Sequence, residues 1–147
     1  MPIQIEVLQE GAGVIYDCRG AMTISDFYEA TKSFLLTPED IKKWRYTLID
    51  LTFVDSMDID YREIERVVAL NRQLAALSVP GVLLAVASPN DLGYGLARMW
   101  EAILDGIGWE TRVFRSRSEA ERWVQERAKK KFGLDVANPF SASGHSV

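Results

Sequence analysis

Histidine and cysteine are nearly missing from this chain. There is one of each in 147 residues, His145 and Cys18. A lone cysteine excludes an intrachain disulfide. The pair together excludes a structural zinc site, which needs several Cys or His ligands. His145 lies in the last few residues, so a Ser-His-Asp or Cys-His arrangement lacks an ordered base. Long apolar runs are missing too: GVLLAVAS, from Gly81, is far shorter than a membrane span. The segment MPIQIEVLQE has neither the basic start nor the apolar core of a signal peptide, so a cytoplasmic protein is expected. Internal repeats and low-complexity tracts are absent before the small polar stretch VANPFSASGHSV.

What remains is the composition of an ordinary globular domain, 48% apolar and 26% charged. The length allows one domain with a full core. The net charge of -4 gives no general attraction to nucleic acid or anionic lipid. It is unevenly spread: residues 1–110 hold nine Lys/Arg and 17 Asp/Glu, whereas residues 111–147 hold eight and four. The late basic excess, at Arg122, Arg127 and Lys129 to Lys131, reads as a solvated helix face whose cations favour the helix C-terminus. Neither a nucleic-acid partner nor membrane insertion is expected from it.

Periodicity gives the order of elements. Ile3, Ile5 and Val7 alternate with polar residues, and Val14 to Cys18 form a second run ending at Gly20. A Gly-rich link at Gly11 to Gly13 joins the two as an antiparallel hairpin. Thr23, with Asp26 three residues on, starts a helix reaching about Leu36. Thr37-Pro38 opens a short second one through Trp44. A buried strand covers Tyr46 to about Leu51, interrupted by Asp50, and a helix follows from Asp60 to Leu77 with Ile64, Val67, Val68 and Leu74 on one face. Val82 to Val86 is apolar on both faces and so central. Ser88 to Asp91 caps a helix carrying Leu92, Leu96, Met99 and Trp100, a stripe that belongs to the core. Thr111 to Phe114 is a short strand. Ser118 to Glu121 looks like the capping box of a last helix that buries Trp123 and Val124. The expectation is an α/β domain over residues 1–133 with about five strands, an N-terminal hairpin followed by βα units with parallel strands, and helices packed on the sheet. Residues 134–147 are expected to be a disordered tail.

Ligands and partners of open α/β sheets meet the carboxyl ends of the strands. That puts weight on the polar cluster Asp55, Ser56, Met57 and Asp58, expected as a loop, and on Asn90, Tyr94 and Arg98 at the start of the helix that Ser88 to Asp91 caps. Asp55, Ser56 and Asp58 suit either a partner contact or plain turn and cap bonding. Their oxygens could hold Mg²⁺, but no second set of ligands accompanies them, and no metal or other cofactor is expected. Gly93 and Gly95 at a helix start could cradle an anion with Arg98 one turn on, or simply permit close packing. Trp44 and Trp109 read as core edge or interface. Cys18, inside a strand, reads as a small buried hydrophobe.

The stretch Asp50-Leu51-Thr52-Phe53-Val54-Asp55-Ser56 resembles a strand end found in STAS domains, the fold of bacterial anti-sigma factor antagonists and of sulfate-transporter tails. The stretch Asn90 to Met99, with its Gly-x-x-Arg element, and Val113-Phe114-Arg115 before the helix containing Trp123, are similar to the small stand-alone SpoIIAA-like proteins. The resemblance covers about residues 3–130. It implies a non-enzymatic regulatory module that binds a protein partner, or a second copy of itself, through the loops at Gly20–Thr23, Asp55–Asp58 and Asn90–Tyr94. The position that antagonists phosphorylate is Met57 in this chain, and the following glycine is Asp58. Ser56 is the neighbouring hydroxyl, and its phosphorylation would set new negative charge beside two aspartates. The alternative is a carrier or sensor of a small apolar or anionic ligand, lipid-like or nucleotide-like, held between helices and sheet. Enzymatic transfer through Asp55, Ser56 and Arg98 is not expected, because nothing activates Ser56.

Overall fold

The structure is a computed structural model that describes residues 2–136. Strands β1 (Ile3–Leu8) and β2 (Gly13–Thr23) pair antiparallel. Helices α1 (Ile24–Phe34) and α2 (Pro38–Lys43) lead to β3 (Tyr46–Asp58). Then follow α3 (Tyr61–Leu77), β4 (Leu83–Ala87), α4 (Asp91–Ile103), β5 (Glu110–Phe114) and α5 (Arg117–Phe132). The five strands lie in the order in which they occur in the chain, and β2 to β5 are parallel. Successive crossovers that all step the same way across a sheet, each right-handed, must lie on one face. Helices α1, α3 and α4 accordingly share a face, and α5 alone covers the other.

The two faces pack differently for a reason visible in the side chains. Helix α5 presents Ala120, Val124 and Ala128, all fully buried, and lies close against β3, β4 and β5. It meets Ile15, Leu48, Leu83 and Ala85 there. On the opposite face the helices present larger groups, among them Phe27, Met99 and Trp100. Helix α3 makes its close backbone approaches to α1 and α2, and α4 makes its own to β5. Helix α1 approaches β1 and β2 closely, so it is α3 that the bulky side chains hold off the sheet.

The hairpin turn is not the expected Gly11-Ala12-Gly13 link. It is a tight turn at Gln9–Gly11 in which Gln9, Glu10 and Gly11 all have positive φ. The Gln9 side chain accepts a hydrogen bond from Tyr46 Oη at 2.5 Å and donates one to the Asp135 carbonyl at 2.8 Å. This ties hairpin, sheet and the segment after α5 together. Leu134 and Val136 pack on the α5-side core, Val136 being buried, so residues 134–136 belong to the folded domain rather than to a tail. The remainder of the expected tail lies outside the described residues.

Strand β3 is the largest departure from expectation. It does not stop at Leu51 but continues to Asp58, and β2 does not stop at Gly20 but continues to Thr23. Pairing with β4 ends at Asp50. Beyond that, β2 and β3 form a two-stranded parallel ribbon. Two irregularities interrupt it. Between Asp17↔Asp50 and Arg19↔Phe53, β3 advances three residues to two on β2; between Gly20↔Val54 and Ala21↔Ser56 it advances two to one. Bulges of this kind shift which side chains face the core and increase local twist. The inward positions run Ile49, Leu51, then Val54 and Met57. A strict two-residue alternation from Ile49 misses Val54 and puts the exposed Phe53 and Asp55 inward instead.

Candidate functional site

Between the sheet and helices α1, α3 and α4 lies an apolar cavity. Its floor is Ile49, Leu51, Leu84 and Val86 of β3 and β4. Phe27 of α1, Ile64 and Val67 of α3, and Leu96 and Trp100 of α4 form its walls. Trp44 and Trp109 close the end near the strand N-termini, in edge-to-face contact with ring centroids 5.0 Å apart. Met57 and Ile59 lie at the ribbon end; Ile59 and Met99 are both lining and exposed, so they form a rim to solvent. The centre of a water-sized sphere can move through about 110 Å³ of this space. One water needs roughly 10–15 Å³ on that measure, and an engineered apolar cavity of about 150 Å³ takes up benzene. The space therefore has room for a ring or short alkyl group.

Most polar groups on the wall satisfy one another. Tyr16 Oη and Thr31 Oγ1 share a hydrogen bond of 2.6 Å, and Trp44 Nε1 donates to Thr47 Oγ1 at 2.8 Å. Burial pushes the Tyr16 hydroxyl well above the ordinary tyrosine range, the bond to Thr31 only partly opposing it, so it stays protonated. Among the described residues, no Asp, Glu, Lys, Arg or His lines the cavity. Asn71, on the inward stripe of α3, lines it and is 8% exposed. Sequence reasoning passed over Asn71; the signal was a polar residue at the stripe position between Val67 and Leu74, where an aliphatic belongs.

The candidate binding residues Asp55, Ser56, Asp58, Asn90, Tyr94 and Arg98 fall into two groups, and none of them lines the cavity. Asp55, Ser56 and Asp58 are exposed on the β3 part of the ribbon, not in a loop. Among the described residues none of the three makes a side-chain hydrogen bond or ion pair, and the cap of α3 is Asp60, which accepts from Arg62 N–H at 2.9 Å. Asn90 caps α4 by accepting from Gly93 N–H at 2.8 Å. That amide is thus engaged and not free to cradle an anion. Gly93 serves packing: a Cβ there would stand 2.3 Å from Ser88 Oγ, which is fully buried. Tyr94 lies under the Arg115 guanidinium, 3.9 Å from ring centroid to Cζ, and Arg115 Nη1 pairs with Asp91 at 2.7 Å. Arg98 pairs with Glu101 at 3.1 Å; hydrogen bonding to Tyr94 and that pairing push its pKa up. Met57, the residue at the antagonist phosphorylation position in the resemblance, lines the cavity.

A polar cluster missed from the sequence sits on the α5 face. Asp50 is 3% exposed. Its Oδ1 accepts from Thr52 N–H at 3.0 Å and Thr52 Oγ1 at 2.5 Å, and its Oδ2 pairs with Arg117 at 3.3 Å. Arg117 also holds Glu121 at 2.8 Å. Burial alone would lower the Arg117 pKa, but its bonds to Glu121 and Asp50 outweigh that and raise it. Asp50 is the last β3 residue paired with β4, and its carboxylate takes the Thr52 N–H just where the ladder ends. The signal was an aspartate inside an apolar strand. A carboxylate held this way is a structural clamp on the bulge.

No protein family and no curated protein matches the sequence. Among solved structures, an uncharacterized protein from the DUF3478 family with a SpoIIAA-like fold, from Shewanella loihica PV-4, superimposes with a TM-score of 0.51 at 19% identity. The match covers 82% of this chain and 90% of that one. The mixed five-stranded sheet of this chain, with its leading antiparallel hairpin, is the topology expected from the STAS-type motifs, and the chain has a SpoIIAA-like fold.

Proposed function

We propose that this protein binds a small, largely apolar molecule between its sheet and helices α1, α3 and α4, as a carrier or sensor and not as an enzyme. The observation that carries the reading is the cavity itself: open to solvent at Ile59 and Met99, apolar along floor and walls, and lined by no acid, base or cation among the described residues. Pockets that bury most of a ligand surface are built this way. The same lining argues against the nucleotide-like ligand considered from the sequence, since phosphate has no cationic partner there. It also narrows the lipid-like ligand to one whose buried part is ring-sized. Three tryptophans, Trp44, Trp100 and Trp109, touch the cavity and supply a readout. Titration with toluene should change tryptophan emission saturably, and Leu96→Trp, which fills the space, should abolish the saturable site. No saturable response at any accessible toluene concentration counts against the reading.

A protein partner is the second reading, and one observation favours it. Beyond Asp50, β3 pairs only with β2, leaving its other edge open beside Phe53, which is 54% exposed under Arg19. An open edge of this kind accepts an added strand. On this reading Ser56 phosphorylation would regulate the ribbon by charge. Phe53→Asp should remove capture of a partner while leaving the toluene response intact.

A further inference from the structure

We infer that the cavity selects an uncharged ligand bearing one hydrogen-bonding group, and that Asn71 is the residue that reads it. The inference rests on the proposed ligand-binding function and deepens it. Helix α3 turns Ile64, Val67, Asn71 and Leu74 inward, and three of these four are aliphatic. Asn71 is more than nine-tenths buried, yet its carboxamide has no hydrogen-bond partner among the described residues. The one side-chain polar atom among those residues that is both sealed and unpartnered is Thr111 Oγ1. The Asn71 amide therefore keeps accessible surface despite its burial, and the open space beside it is the cavity. Its neighbours on the wall cannot occupy it, because Tyr16 is bonded to Thr31 and Trp44 to Thr47.

A buried amide left without a partner gives up hydration that nothing in the protein replaces. Unlike an aliphatic side chain at the same place, the amide can hydrogen-bond a polar group of whatever enters the cavity. It offers a donor and an acceptor, and so suits a hydroxyl, carbonyl or amide. It offers no charge. A carboxylate or ammonium ion entering the cavity would lose its hydration with no counter-ion on the wall. Ligand size follows from the volume: a ring or short chain inside, with any larger polar part outside the rim formed by Ile59 and Met99.

The test uses four molecules of one shape: benzyl alcohol, toluene, benzoate and benzylammonium. Dissociation constants come from tryptophan fluorescence or NMR titration of the full chain. Benzyl alcohol and toluene should bind at the cavity, and the two ions should not. In Asn71→Leu the ratio of the two constants should shift roughly threefold to tenfold toward toluene, as expected for one lost hydrogen bond. The ratio cancels any general change in packing. Asn71→Ala should shift it the same way and serves where the leucine variant fails to fold. An unchanged ratio in both variants, with toluene still bound, overturns the role of Asn71 but leaves the ligand-binding reading standing. Benzoate or benzylammonium binding more tightly than benzyl alcohol overturns the selectivity. Binding of none of the four overturns the ligand-binding reading itself.

Discussion

Asp50 ties the irregular part of β3 to α5. Its carboxylate holds the bulge through Thr52 and neutralises Arg117 on α5. Removing that carboxylate takes the acceptor from the Thr52 N–H and hydroxyl and one anion from Arg117, which keeps Glu121. Asp50→Ala should therefore cost about 3 kcal/mol in a denaturant titration. A loss below about 1 kcal/mol would show that the clamp is idle. Cys18 offers a second check. It is fully buried, and that burial, with smaller contributions from Asp50, Asp17 and Asp26, pushes its thiol far above the usual cysteine range. The thiolate is the reactive form, so Cys18 should react with a thiol reagent only as fast as the protein opens. Rapid labelling of the native protein contradicts this environment. At this scale the sequence was only partly informative. It marked Asp50 as an interruption, but Asn71 looks in sequence like any polar residue of a helix. That it faces a cavity depends on how far α3 stands from the sheet.

Helix boundaries were the most legible features, because capping chemistry is local. Thr23 with Asp26 and Thr37 with Asp40 form the reciprocal bonds that those spacings imply. The last helix shows the limit. Ser-x-x-Glu occurs twice, at Ser116–Glu119 and at Ser118–Glu121, and the first is the cap. Glu121 is used by Arg117 instead. Strand ends were less legible. The apolar alternation of β3 is reset twice by bulges, so Asp55 to Asp58 read as a loop although they continue the strand. Gly93 permits a test at the level of the α4 start. Gly93→Ala would force a Cβ onto the buried Ser88 hydroxyl and should destabilise by about 1–3 kcal/mol, well beyond the gain in helix propensity. A neutral or stabilising effect would mean that the β4–α4 turn yields freely. Thr23→Ala should cost about 1 kcal/mol by the loss of its cap.

Across the whole molecule the two faces of the sheet divide the work. The α5 face is closed by small side chains and fastened by ion pairs; the other face is held open by large ones. Glu110 of β5 receives two bonds of 2.9 Å from Arg127 and one of 2.5 Å from Lys131. The bonding to Arg127 and Lys131 holds its pKa below the ordinary glutamate value of 4.5, burial only partly opposing. A carboxylate whose pKa is lowered by folding stabilises the protein above its unfolded value and loses that contribution as pH falls through its folded value. Glu110→Gln should flatten the acid-side loss of stability and lower stability at neutral pH by about 1 kcal/mol or less. An unchanged acid limb in the variant argues that α5 is held by its apolar face alone. The fold was readable in the sequence because strand and helix order fixes which face each crossover takes. The cavity was not, because it is a shortfall of packing among residues that each look like ordinary core.

The most direct measurement on that cavity is mass spectrometry of the untagged protein from its own host, recorded under native and then denaturing conditions. Ligand binding in the cavity predicts a native mass exceeding the denatured chain by a small, uncharged, dissociable adduct, which Leu96→Trp removes. A native mass equal to that of the bare chain, in a protein whose tryptophan emission also ignores toluene, would contradict it.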